Sequence, residues 1–134
     1  MRPPRAYHAV VTGSEKRLLF FWLPPLGWAA LIFVASATPV PPQLLLDMEG
    51  LPHWDKALHL LIYAELALLL LRALRGEQRW GVWRTAAGAF ALAALFGATD
   101  EFHQWFTPGR SMEFWDWAAD ALGAAVVFLM PGKP

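Results

Sequence analysis

The chain has 134 residues, of which 57% are hydrophobic and only 16% are charged, and its eleven Lys and Arg balance eleven Asp and Glu. That balance points to no nucleic-acid or acidic partner. The absence of cysteine excludes disulfides, thiolate catalysis and thiolate-bound metals.

Four apolar segments follow one another after a basic tail over residues 1–17. They are Leu18–Ser36, Ala57–Leu74, Thr85–Gln104 and Phe114–Met130. A spanning helix needs about 20 largely apolar residues to cross about 30 Å of hydrocarbon. In a soluble bundle each helix would show one apolar stripe and a charged opposite face. Here the polar residues gather at one end of each segment instead. The expected fold is all-α: a polytopic membrane protein with four transmembrane helices in a compact bundle over residues 18–131, and a short tail at 132–134. The first segment has a rival reading, because Lys16-Arg17, the apolar stretch and Ala35-Ser36-Ala37 resemble a cleavable signal peptide. Its length and the Pro24-Pro25 pair favour a retained span.

Orientation follows from the connections. Arg2, Arg5, Lys16, Arg17, Arg72, Arg75, Arg79, Arg84 and Lys133 fall on one side, against Lys56 and Arg110 on the other. Both termini are therefore expected to be cytoplasmic, in a bacterial inner membrane. Trp80 and Trp83 would mark the inner interface, and Trp54, Trp105, Trp115 and Trp117 the outer one.

At the outer end three segments carry polar stripes. Asp55, His59 and Tyr63 stand at successive i,i+4 positions. Asp100, Glu101 and Gln104 close the third segment, and Asp116, Asp120 and Gly123 share a face of the fourth. From Thr85 to Thr99 an α-helix rises about 22 Å, so the third span must recruit residues 100–104 to cross. Carboxylates at that depth cost about 2.5–3.5 kcal/mol each on insertion scales and face a bundle interior or a wet cavity. Asp100 and Glu101 also lie near a helix C-terminus, where the macrodipole disfavours them. Ser111 and Asp55 read as helix caps, Glu113 as an acid suited to a helix N-terminus, and Pro108-Gly109 as a turn. Two readings of the carboxylates stand: a site, or a buried lock between helices with Arg110 as the balancing cation. Glu65 lies mid-span, away from the His59–Tyr63 face and within reach of Arg72, and has no functional account.

These residues carry a resemblance. The stretches "DKALHLLIY" (55–63), "DEFHQWFTPGRS" (100–111) and "DWAADALGA" (116–124), with "WAALIFVASATP" (28–39), resemble the VanZ-like family of small bacterial membrane proteins. The likeness runs over about residues 28–128. The family often carries Asn where this chain has Asp120. It is named for a factor giving low-level resistance to the glycopeptide teicoplanin, so the resemblance implies a role in the cell envelope and leaves the reaction open.

The expected site comprises Asp55, Lys56, His59, Tyr63, Asp100, Glu101, Gln104, Arg110, Asp116 and Asp120. In one reading it binds a phosphate- or carboxylate-bearing envelope component, such as a lipid-linked precursor, gripped by Arg110. In a second, His59 and Glu101 are the acid–base pair of an intramembrane enzyme. Alternatively Asp100, Glu101, Asp116 and Asp120 hold a hard divalent cation; no other cofactor is expected. Transport and the structural lock complete the alternatives. Besides the lipid bilayer, a partner copy in an oligomer is possible.

Overall fold

The computed structural model describes residues 13–39, 53–77 and 80–130. The first twelve residues, Arg79 and the tail with Lys133 lie outside them. Among the described residues all regular structure is helical. Helix α1 spans Gly13–Ser36, α2 Trp54–Glu77, α3 Val82–Gln104 and α4 Phe114–Ala124, after which a 3₁₀ turn runs over Ala125–Phe128.

Three of these helices, α1 to α3, are long and apolar enough to cross a membrane. Pro24 and Pro25 do not end α1, which stays helical from Gly13 to Ser36. Most of α1 turns its side chains outward: Leu18, Phe20, Leu23, Leu26, Leu31 and Val34 are all more than half exposed. Such a face suits acyl chains rather than water. The fourth segment differs from a plain span. Its eleven α-helical residues and four 3₁₀ residues rise about 24 Å, and Leu129 and Met130 are no longer helical.

Helix α2 is the centre of the bundle and packs on all three others. The core consists of Tyr63, Leu66, Ala67 and Leu71 from α2, Ala86, Ala89 and Ala93 from α3, Ile32 from α1, Ala124 at the end of α4 and Val127 in the 3₁₀ turn. Small residues dominate because membrane helices gain little from hydrophobic exclusion and associate through close backbone approach. Gly123 shows how close. A Cβ there would stand 2.1 Å from the Leu60 carbonyl oxygen, so only glycine lets α4 lie on α2.

The buried stripe of α3 runs Thr85, Ala86, Ala89, Ala93, Gly97, Asp100, Glu101, Gln104. One helix face thus passes from alanine to carboxylates without leaving the interior. The end of α1, the start of α2, the end of α3 and the start of α4 meet at the same end of the bundle, and the polar residues of all four helices meet with them.

Candidate functional site

The site begins with the pitch of α2, which puts Asp55, Lys56, His59 and Tyr63 within two turns at its N-terminal end. Lys56 Nζ donates to Asp55 Oδ2 at 2.8 Å, Asp116 Oδ1 at 2.8 Å and Glu113 Oε2 at 3.3 Å. An ammonium has three N–H donors, and each meets a carboxylate. The balancing cation of this cluster is therefore Lys56, and α2 is bound through it to the start of α4.

One turn further in, His59 Nδ1 lies 2.8 Å from Asp120 Oδ1 and 3.9 Å from Glu101 Oε1. Asp120 is fully buried and Glu101 is 1% exposed. Asp120 occupies space that Gly97 leaves open: a Cβ at Gly97 would lie 2.8 Å from Asp120 Oδ2. Glu101 Oε2 accepts the backbone N–H of Glu113 at 2.9 Å. Glu113 is the N-cap residue of α4, so Glu101 sits at the C-terminus of its own helix and at the positive end of another. That second dipole offsets the first.

Asp100 is set apart from these groups. Its two oxygens accept the Ser36 hydroxyl at 2.5 Å and the Gln104 amide at 3.2 Å. The Ser36 bond fastens the end of α1 to the end of α3. The four carboxylates expected to hold one cation are thus divided: Glu101 and Asp120 around His59, Asp116 on Lys56, and Asp100 on Ser36 and Gln104.

Arg110 is placed by the turn before it, where Gly109 has a φ of 78°, a left-handed conformation that glycine adopts without strain. Its guanidinium donates to Ala35 O at 3.0 Å and Thr38 O at 3.4 Å, carbonyls at the end of α1. It forms no ion pair with the carboxylates that would have balanced it, among the described residues. Two of its five N–H donors are used in this way.

A cavity of about 110 Å³ opens between α1, α2 and α3. Ser36, His59, Tyr63, Asp100, Gln104 and Arg110 line it, with Ile32, Leu58 and Ile62 as the apolar wall. The cavity and the two carboxylate clusters together take in all ten expected residues.

Several expectations change in detail. Ser111 does not cap α4; its hydroxyl donates to Glu113 Oε1 at 3.0 Å, and Glu113 holds the cap position without a side-chain bond of its own. Asp55 lies inside the first turn of α2, where it pairs with Lys56. The Trp117 indole N–H donates to the Ala94 carbonyl at 3.1 Å and so ties α4 to α3. Arg72 does not turn to Glu65: it lies over the Phe20 ring, 4.4 Å from its centroid. Two contributors went unseen in the sequence. Ser36 was legible only as the last polar residue of the first span, and Glu113 only as a cap-region acid.

With this geometry in view, the comparisons decide the family. The model of one protein family, described as VanZ/LLP1, matches residues 14–131. The chain belongs to the VanZ-like family. No curated protein and no solved structure matches it. In this VanZ-like chain the stretches that carried the resemblance are those that build the cavity and the clusters. The fully buried Asp120 stands on His59.

Proposed function

We propose that this VanZ-like protein crosses the bacterial inner membrane with both termini in the cytoplasm, α4 completing a fourth passage. Its polar end then faces outward and binds a phosphate- or carboxylate-bearing component of the cell envelope. The single observation that carries this reading is the cavity on which Arg110, His59 and Gln104 converge. Its volume, about 110 Å³, suits a small anionic head, and the apolar wall of Ile32, Leu58 and Ile62 suits the lipid portion of the ligand. Arg110 keeps three N–H donors after capping α1, enough for a fork on an anion. Asp100, the one carboxylate on the wall, has both oxygens occupied by donors, which lowers its repulsion of an incoming anion.

The test is binding of a polyprenyl phosphate, phosphatidylglycerol or uncharged diacylglycerol to the purified protein in nanodiscs. The two phosphates are expected to bind saturably and the neutral lipid not at all, with binding weakened at least tenfold by Arg110→Ala. Equal retention of all three lipids would sink the reading. A link to glycopeptide resistance is tested separately in a susceptible host expressing wild type, Glu101→Gln or Arg110→Ala. Teicoplanin resistance lost at equal membrane abundance marks a site, whereas abundance lost together with resistance marks a lock.

A second reading rests on the His59–Asp120 contact at 2.8 Å. A carboxylate that orients an imidazole is the arrangement of a general base, here beside a cavity sized for a headgroup. Release of the headgroup from a phospholipid, abolished in His59→Gln, would promote this reading over simple binding.

A further inference from the structure

We propose that His59, Glu101 and Asp120 bind one divalent transition-metal ion of the zinc or manganese kind. The proposal does not depend on the lipid-binding reading. Each of the three residues offers a ligand atom within 4.8 Å of the other two. Ligand atoms sharing an ion with bonds of about 2.1 Å lie about 3.0–3.5 Å apart. The distances from His59 Nδ1, 2.8 Å to Asp120 and 3.9 Å to Glu101, bracket that range. A metal would take the place of the proton between His59 and Asp120 and draw Glu101 inward.

A second observation points to an occupant. Glu101 Oε1 and Asp120 Oδ2 are buried without a hydrogen-bond partner. A buried carboxylate oxygen left unpaired is costly, more so inside a membrane. Lys56 cannot relieve it, because its three donors are spent on Asp55, Glu113 and Asp116. Ionised together, Glu101 and Asp120 would set two negative charges against one imidazole, and a divalent ion would neutralise them.

The neighbouring acidic group, Asp55, Glu113 and Asp116, has the spacing of a metal site as well. It already holds a cation in the Lys56 ammonium and needs no other. The His59 cluster also has an outer support: the Glu113 N–H on Glu101 Oε2 fixes the carboxylate so that Oε1 points inward. One imidazole with two carboxylates suits zinc or manganese better than the all-oxygen cage expected by magnesium or calcium.

The experiment uses the whole protein in nanodiscs, stripped with a chelator and then incubated with zinc chloride or manganese chloride. Metal retained after gel filtration is counted by mass spectrometry. Wild type is expected to keep one ion per chain. His59→Gln, Glu101→Gln and Asp120→Asn are each expected to bind at least about 100-fold more weakly, while Asp55→Asn is unchanged. With manganese, electron spin-echo spectroscopy is expected to show coupling to a nitrogen that vanishes in His59→Gln. If Glu101→Gln does not reach the membrane, His59→Gln keeps both carboxylates and decides the matter. No retained ion in wild type at micromolar free metal, or equal retention in wild type and His59→Gln, would overturn the proposal and leave the cluster a proton-linked network.

Discussion

At one end of the bundle the charged groups point inward, and at the other they lie along the surface. The inward end holds Asp100, Glu101, Asp116 and Asp120, each no more than 7% exposed, bonded to Lys56, His59, Ser36 and the Glu113 N–H on other helices and to Gln104 one turn along α3. The opposite end holds Arg17, Arg72 and Arg75. Arg72 lies over Phe20 and Phe21, Arg17 donates to the Gly76 carbonyl, and Arg75 donates to the Met130 carbonyl. Arg17 and Arg75 are exposed and Arg72 is half-buried, and long basic side chains of this kind can carry their heads to a bilayer surface at little cost. Short carboxylates lack that reach, so burying them demands partners. The difference teaches where a function is to be sought: the surface arginines anchor, while the buried acids exist at a cost that something must offset.

Substitutions can sharpen or break this contrast. The largest loss is expected at Gly123→Val, where a Cβ would meet the Leu60 backbone. Separating α4 from α2 removes both carboxylate clusters, and the cost should reach or exceed the upper end of the about 1–3 kcal/mol of overpacked sites. Membrane abundance and unfolding in dodecyl sulfate measure it.

Next comes Lys56→Met, which strands Asp55, Glu113 and Asp116. About 2–3 kcal/mol is expected, short of a fully buried pair because the Lys56 side chain is 26% exposed. The same titration reads it, and stability regained in the double variant with Asp116→Asn would identify stranded charge as the cause. Ser36→Ala removes a donor to Asp100 and should cost about 1.5 kcal/mol, seen as a lower unfolding midpoint. Arg72→Leu, at the surface end, should cost at most about 1 kcal/mol. If Arg72→Leu proved as damaging as Lys56→Met, the contrast between the two ends would fail.

Much of this was legible in the sequence, for physical reasons that can be traced. Spacing of three and four residues put Asp55, His59 and Tyr63 on one face of α2, and Asp116 and Asp120 on one face of α4, as observed. The short apolar run from Thr85 to Thr99 drew Asp100 and Glu101 into the bundle. Partner choice was harder to read. A sequence shows the dipole of a residue's own helix and not that of its neighbour, so Glu101 looked misplaced until α4 delivered its N-terminus. Arg110 and Lys56 were equally eligible as balancing cations. Lys56 takes the role because it sits one turn before His59, facing α4, whereas the Gly109 turn sends Arg110 to the end of α1. The fourth segment read as one helix through Met130, yet its α-helix stops at Ala124; the one glycine nearby, Gly123, reads as a close-packing residue against α2 rather than as a helix end.

The link that joins Lys56 and His59 to α4 divides the chain chemically at the connection between α2 and α3. Before it stand Ser36, Lys56 and His59; after it stand Asp100, Glu101, Glu113, Asp116 and Asp120, with Asp55 the one acid of these clusters on the earlier side. Each half is a helical hairpin whose polar groups are complementary to those of the other. A gene cut between these hairpins would yield two fragments, each unsatisfied alone, that have reason to find one another in the bilayer and rebuild the whole.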